Sequence, residues 1–130
     1  MPEFPAITHV ALTVSSLERS RPWYQALFEA EPVVDEDTGP FRHAVWLLGG
    51  TLVGLHEFPD LDSSEPFNER RIGLDHLAFA CADRSELEDW EARLRARGIA
   101  NEGIVDAPYG SGLSFRDPDN IALEFFAPPS

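Results

Sequence analysis

The chain contains two related halves, and this internal repeat limits its fold more than any other feature. The segment ITHVALTV resembles the later segment LDHLAFAC, because both are apolar and carry a histidine at the third position. These histidines, His9 and His76, lie 67 positions apart, and the later segments TLVGLHEF and IALEFF align at an offset of 68. A nearly constant offset in two separate places indicates a duplicated structural module.

Each half of the chain predicts a strand, a helix and then three strands. We predict an α+β fold of two pseudo-symmetric βαβββ modules that form an open mixed β-barrel with the helices outside. The modules cover residues 5–58 and 72–127, and a polar, proline-containing linker covers residues 59–71. Because neither half is long enough to form a stable hydrophobic core alone, we expect one domain over residues 1–130. The predicted elements between the outer strands are helices at 16–29 and 85–97 and strands at 32–35, 41–48, 103–106 and 112–116.

The ends of the two helices are predicted from capping residues. Pro22 has no N–H and is tolerated only in a first turn, so the first regular helix is expected to start near Arg21. Ser85 is the expected N-cap of the second helix, with Glu88 completing a capping box. Gly98 should end that helix in the left-handed conformation.

The composition is that of a globular protein in a reducing compartment. Hydrophobic residues make up 43% of the chain, and a net charge of −13 repels nucleic acid and anionic lipid. No segment has the length or character of a membrane span or signal peptide. The single cysteine, Cys81, excludes an internal disulfide and is expected to be buried and inert. We therefore expect a cytoplasmic protein without nucleic-acid or membrane partners.

Four polar residues on the repeated strands share one arrangement. Side chains alternate across a strand, and the bulkier set should pack on the helices, which leaves His9, His56, His76 and Glu124 facing the hollow of the sheet. Each has a small residue two positions away on the same face. A core strand would usually fill such positions with large side chains, so the pattern indicates a cavity. These small residues are Ala11, Gly54, Ala78 and Ala122.

Two imidazoles and a carboxylate suit a borderline divalent metal. The candidates are Fe(II), Mn(II), Zn(II), Ni(II) and Co(II), which this ligand set does not distinguish. Two histidines and one carboxylate leave coordination positions open for a substrate. A hydrogen-bonded core role is the usual explanation of a lone inward histidine, but an unpaired inward carboxylate is expensive.

Three segments resemble the vicinal oxygen chelate superfamily, which includes glyoxalases, bleomycin-resistance proteins and extradiol dioxygenases. They are the opening HVALTVSSLERSRPWYQALF, the central GLDHLAFAC and the closing YGSGLSFRDPDNIALEFF. The resemblance covers nearly the whole chain. It implies paired βαβββ modules around a divalent metal, a homodimer, and substrates that chelate the metal through adjacent oxygens.

The resemblance also implies which residues hold the metal. The family's positions carry over to His9, His76 and Glu124. A fourth ligand, where the family has one, lies on the fourth strand, which is His56 by module alignment and Gly54 by counting from the strand's end. His56 is therefore open as a ligand, as a catalytic acid or base beside Glu124, or as a structural residue.

Three further residues are candidates for contact with a substrate. His43 shares a predicted face with residues that could line the pocket, but a plain strand residue is the favoured interpretation. Tyr109 lies in a glycine-rich loop that could cover the site or simply turn the chain. Arg71 could hold a substrate carboxylate or pair with surface acids.

Two classes of function remain open from the sequence. The first is a metal-dependent isomerase, lyase or ring-cleaving dioxygenase acting on a small oxygenated molecule. The second is a non-catalytic protein that sequesters an antibiotic or metabolite. The intact set of two histidines and a glutamate favours the enzyme, because a sequestering protein has no need of it.

Overall fold

The two copies of the repeat fold alike. In the computed structural model, which describes residues 3–129, the chain divides into a first module that ends at Ser64 and a second that begins at Glu65. The first module consists of β1 (His9–Thr13), α1 (Leu17–Phe28), β2 (Val34–Asp37), β3 (Arg42–Leu48) and β4 (Thr51–Glu57). The second consists of β5 (Leu77–Ala80), α2 (Arg84–Ala96), β6 (Asn101–Ala107), β7 (Gly110–Arg116) and β8 (Ala122–Ala127).

Each module contains one open, mixed four-stranded sheet. The strand order is β1-β4-β3-β2 in the first module and β5-β8-β7-β6 in the second. The first and last strands of a module pair in parallel, and the other pairs are antiparallel. The predicted α+β class and the paired βαβββ modules are therefore confirmed, while the single-domain organisation stays a prediction. Neither helix in the described part of the chain is long and apolar enough to span a bilayer.

The first helix begins earlier than predicted. It starts at Leu17, not near Arg21, and contains Pro22 in its interior. Its start is held because the Ser16 side chain accepts a backbone N–H of the first turn and Glu57 Oε1 accepts the Leu17 N–H at 2.7 Å. The missing N–H of Pro22 falls on an exposed side of the helix, where water can satisfy the freed carbonyl.

The cap of the second helix is also displaced from its predicted position. Asp83, not Ser85, is the N-cap, and its carboxylate accepts the Glu86 N–H at 2.9 Å. Glu86 in turn accepts the backbone N–H of the residue before Asp83. Glu88, expected in the capping box, pairs instead with the Arg84 guanidinium. The C-terminal end of α2 is as predicted, since Gly98 follows it in the left-handed conformation with a φ of 70°.

The middle strands differ from prediction at their ends. β2 begins at Val34, two residues later than expected, and runs to Asp37. At the start of β2, Pro32 has no N–H with which to bond to the neighbouring strand, so it lies outside the ladder. At the other end, Glu36 lies opposite His43 and can pair with it. β6 is longer than expected and contains a register shift around Gly103, whose φ is 76°. A bulge of this kind is not visible in an alternation pattern.

Each sheet buries one face against its own helix. In the first module Tyr24 and Leu27 of α1 are buried, as are Trp46 and Leu55 of the sheet, and Trp46 Nε1 donates to the Ala30 carbonyl at 2.9 Å. In the second module the buried apolar residues of the sheet and of α2 include Leu87, Leu94, Leu113, Phe115, Leu123 and Phe125. The faces away from the helices carry the polar residues of interest.

Cys81 lies on the helix-facing side of the second sheet. Its side chain is buried, as predicted. Burial, with the nearby carboxylates Glu86 and Asp83, raises the pKa of its thiol to about 11. Because the thiolate is the reactive form, this cysteine is inert at neutral pH.

Gly110 tests how tightly the second sheet is packed. Its φ is 144°, and a Cβ there would lie 2.3 Å from Phe126 Cζ and 2.5 Å from the Ala127 carbonyl oxygen. We expect Gly110→Ala to lower the free energy of unfolding by about 2–4 kcal/mol, because overpacking adds to backbone strain. The control is Gly39→Ala, since Gly39 also has a positive φ, 100°, but its Cβ would meet nothing within 4 Å. Denaturant unfolding that gives equal losses for the two variants would contradict the packing argument.

Candidate metal and substrate site

His76 and Glu124 share one face of the second sheet. The parallel register pairs Ala78 with Glu124 and Leu77 with Leu123. His76 directly precedes β5 and, by alternation, lies on the Ala78 face. Continuing the register by one residue sets His76 opposite Ala122, the neighbour of Glu124 on that face. His76, just before β5, and Glu124 on the adjacent β8 thus share a face on which their neighbours Ala78 and Ala122 have small side chains.

The Glu124 carboxylate occupies a space that a glycine leaves open. Ser114, directly opposite on β7, donates its hydroxyl to Glu124 Oε2 at 3.3 Å. A Cβ on Gly112 would lie only 3.2 Å from the same oxygen. The carboxylate is half-buried and has one modest hydrogen bond from a hydroxyl. A carboxylate that lies over Gly112, bonded to Ser114 and on the same face as an imidazole, fits a divalent cation.

Both repeated histidines are oriented by the residue before them. His76 Nδ1 lies 2.8 Å from Asp75 Oδ1, and His9 Nδ1 lies 2.9 Å from Thr8 Oγ1. An ionised carboxylate only accepts, so His76 Nδ1 carries the proton and Nε2 presents its lone pair. Hydrogen bonds of this kind fix the tautomer of metal-binding histidines. This role of Thr8 and Asp75 was not predicted, although the matching Thr-His and Asp-His pairs in the sequence were a signal for it.

His9 and His56 are far apart on the face that they share in the first module. His9 pairs with Leu52, whereas His56 pairs with Thr13, four residues further along β1. At about 3.3 Å per residue, the two are separated by roughly 13 Å along the strands. A single ion cannot bind both directly, since metal–nitrogen bonds are about 2.0–2.1 Å long.

The registers also identify which residue of the first module corresponds to Glu124. Glu124 pairs with Ala78, two residues after His76, and in the first module Ala11, two residues after His9, pairs with Gly54. Gly54 therefore occupies the position of Glu124. His56 lies two residues after Gly54, at the next position on the same face, where the second module has Phe126. Of the two assignments left open by the sequence, the register favours Gly54.

His56 belongs to a cluster of four rings in the first module, which we call the ring cluster and which contains Phe41, His43, His56 and Phe58. The Phe41 ring stacks on His56 at 4.6 Å between centroids and 13° between planes. The His43 ring meets His56 edge-on at 5.4 Å. The His43 imidazole is fixed from outside, because its Nε2 lies 2.9 Å from Glu36 Oε1.

The ring cluster favours the neutral form of His56. Burial, and then repulsion by a charged His43, lowers the pKa of the His56 imidazole below its ordinary value of 6.5. A neutral imidazole accepts a hydrogen bond or a proton, which is what a general base does. His43 Nε2 lies against Glu36 Oε1, so its Nδ1 is the ring nitrogen left to face a ligand.

The other two candidates for substrate contact have partners within the second module. Tyr109 is 75% exposed and stacks on Phe126 at 6.3 Å, with the ring planes 10° apart. Phe126 lies two residues after Glu124 and therefore on the same face of the sheet. The Arg71 guanidinium pairs with Glu65 on the surface. Tyr109 is thus next to the Glu124 face, whereas Arg71 is engaged by a surface acid.

Neither module alone gathers three metal-binding side chains. Within residues 3–129, no module brings three His, Cys, Asp or Glu side chains close enough together to hold an ion. The second module offers the pair His76 and Glu124, and the first offers His9. Each of the three shares its face with small residues, as the alternation pattern predicts.

The pKa of His56 can be measured by following its ring protons with NMR during a pH titration. We expect a value below 6.5. Since His56 then binds a proton less readily in the folded state than in the unfolded state, stability should fall as the pH drops from 6.5 to the folded pKa. His43→Gln removes the charged neighbour and should move the pKa back towards 6.5. A wild-type pKa at or above the ordinary value would contradict the role of burial.

The structure of the chain closely matches one that has been solved. A glyoxylase/bleomycin resistance protein/dioxygenase domain from Frankia sp. EAN1pec superimposes with a TM-score of 0.88 at 33% identity, covering 98% of this chain and 95% of that one.

Sequence comparisons agree with this match. The chain is 31% identical over 121 residues to the metallothiol transferase FosB of Staphylococcus saprophyticus, covering 92% of this chain and 74% of that protein. It is 26% identical over 126 residues to biphenyl-2,3-diol 1,2-dioxygenase 2 of Rhodococcus globerulus, covering 92% and 61%. Residues 6–125 match the model of the Glyoxalase/Bleomycin resistance protein/Dioxygenase superfamily. The chain belongs to that superfamily, the one that its opening, central and closing segments resemble.

Proposed function

We propose that this protein is a divalent-metal-dependent enzyme that acts on a small oxygenated molecule, with His9, His76 and Glu124 as the protein ligands. The observation that supports it best is the placement of His76 and Glu124 on one face of the second module, near each other in the β5–β8 register. The imidazole presents Nε2 because Asp75 holds Nδ1. The carboxylate lies in the space left by Gly112.

A centre with three protein ligands takes one from the first module and two from the second. His9 is the candidate in the first module because it repeats His76, including the hydrogen bond at Nδ1. The two modules could belong to one chain or to two copies of a homodimer, and the homodimer stays a prediction. Fe(II), Mn(II), Zn(II), Ni(II) and Co(II) all accept two imidazoles and a carboxylate.

The proposed centre suits chemistry at an oxygen-bearing substrate. When bound, a divalent ion would act as a Lewis acid towards substrate oxygen atoms, and two histidines with one carboxylate leave positions open for them. Relatives named as a metallothiol transferase and as a biphenyl-2,3-diol 1,2-dioxygenase indicate that the scaffold serves more than one reaction. We therefore propose the substrate class, a small chelating molecule, and a transferase, lyase, isomerase or dioxygenase reaction.

His56 is proposed as an acid–base or hydrogen-bonding residue and not as a ligand. The register gives the position of Glu124 to Gly54, and His56 is about four strand residues from His9. Its imidazole is kept neutral by its half-buried position within the ring cluster. His43, oriented by Glu36, and Tyr109, stacked beside the Glu124 face, are the proposed substrate contacts. Arg71 has a surface partner and retains only a peripheral role in this proposal.

The metal content of protein purified without a tag tests the proposal. Elemental mass spectrometry should find close to one divalent ion per wild-type chain. His76→Ala and Glu124→Ala should each lose it, because removal of one ligand from three leaves too few protein bonds. His43→Ala is the matched control, since it removes an imidazole that Glu36 already engages, and should keep the ion.

The opposite result has a definite meaning. A wild-type protein that is empty and cannot be loaded with any of the five metals would contradict the enzyme proposal. The half-buried ring cluster would then favour the second class of function, the binding of a planar organic molecule without chemistry. A control variant that loses the metal as completely as His76→Ala would instead contradict the ligand assignment.

A further inference from the structure

Arg116 and His76 lie on either side of Ala122, in one line of residues that runs across the strands of the second sheet. The register pairs Arg116 on β7 with Ala122 on β8. Continuing the β5–β8 register by one residue beyond Leu77 and Leu123 sets His76 opposite Ala122 on the other side. The three residues share the face that carries Glu124. Neighbouring strands are about 4.8 Å apart, so His76 and Arg116 are roughly 10 Å apart at the backbone, a gap that a long side chain can bridge. The residue of β8 between these two positions is Ala122, whose side chain is small.

The Arg116 side chain is held by a carboxylate from the segment that leads into β5. Its Nη1 and Nη2 donate to the two oxygens of Glu69 at 2.9 Å and 3.0 Å, and Nη1 also donates to the Asn120 carbonyl at 3.1 Å. This two-bond geometry is the strong, directional form of an arginine–carboxylate pair. It also holds the pKa of the Glu69 carboxyl down to about 2.

The same segment is tied to the β7–β8 turn by two more hydrogen bonds. The Phe67 N–H donates to the Asp119 carbonyl at 2.9 Å, and the Asn120 side-chain amide donates to the Phe67 carbonyl at 3.0 Å. The Arg-Asp-Pro-Asp-Asn turn therefore holds the chain at Phe67 and Glu69. The segment between these anchors and β5 ends at His76.

The guanidinium also acts on the residue that orients His76. The bond to Glu69 raises the pKa of Arg116 above its ordinary value, and attraction to Glu102 and Asp75 adds to the shift. Asp75 is the carboxylate that lies 2.8 Å from His76 Nδ1. The positive charge of Arg116 thus attracts the partner of the imidazole, while Glu69 holds the guanidinium in place.

We infer that Arg116 is a positioning residue for His76, which it orients by anchoring, through Glu69, the segment that leads to His76. The inference rests on the proposed function in one respect, since His76 is there a metal ligand. It assigns to the arginine of the Arg-Asp-Pro-Asp-Asn turn a role in the site beyond fixing the hairpin. His76 itself is 48% exposed in its side chain, so packing alone does not fix its ring.

The test compares Arg116→Gln with Arg84→Gln, because Arg84 is also an exposed arginine of the second module paired with carboxylates, Asp106 and Glu88. Metal-free protein is titrated with Co(II) and followed by visible absorption. Arg116→Gln should weaken Co(II) binding about 10- to 100-fold, the usual effect of removing a group that orients a ligand. Arg84→Gln should leave the affinity unchanged, and Arg116→Lys, which keeps the charge but not the two-bond pair, should lie between.

A second measurement does not depend on metal. Nitrogen NMR of metal-free protein, at a pH where His76 is neutral, reports which ring nitrogen carries the proton. The wild type and Arg84→Gln should show His76 as the Nδ1–H tautomer, and Arg116→Gln should show a mixture. If Arg116→Gln does not fold, the same spectrum of Arg116→Lys decides.

The two measurements separate the inference from the proposed function. A wild type that binds Co(II), with Arg116→Gln binding it equally and keeping the Nδ1–H tautomer, would overturn the inference alone. A wild type that binds no Co(II) would contradict the proposed function. In that case the tautomer comparison still decides whether Arg116 orients His76.

Discussion

Parallel pairing between the first and last strands of each module controls what the rest of the structure can do. It fixes which residues stand side by side on the face away from the helix, since a shift of one residue would turn every side chain to the other face. In the second module this pairing places Glu124 opposite Ala78 and next to the row of His76. In the first it places Gly54 beside Ala11 and moves His56 away from His9.

Much of this arrangement could be predicted from the sequence because it follows from periodicity. The repeat predicted two βαβββ modules, and alternation predicted that His9, His76 and Glu124 would turn away from the helices. The helix starts could not be predicted in the same way. At α2 two residues, Asp83 and Ser85, were both suitable caps, and each has a glutamate three residues later, Glu86 and Glu88. In the structure Asp83 is the cap, and Glu88 pairs with Arg84 within the helix.

The position of His56 shows the limit of aligning one half of a chain with the other. The sequence alignment used an offset of 68, which equated His56 with Glu124. The strand registers equate Gly54 with Glu124, an offset of 70, while the histidines of the first strands are 67 apart. The difference accumulates in turns and at the bulge of β6, where insertions cost little and leave no trace in hydrophobic patterns.

The two repeated histidines have diverged in one respect that affects how a bound ion would behave. His76 is paired with the carboxylate of Asp75, whereas His9 is paired with the hydroxyl of Thr8. A carboxylate makes an imidazole a stronger electron donor than a neutral hydroxyl does. In the proposed centre the duplicated ligands are therefore unequal. His76 would be the stronger donor to a bound ion and His9 the weaker, although the two histidines come from copies of one module.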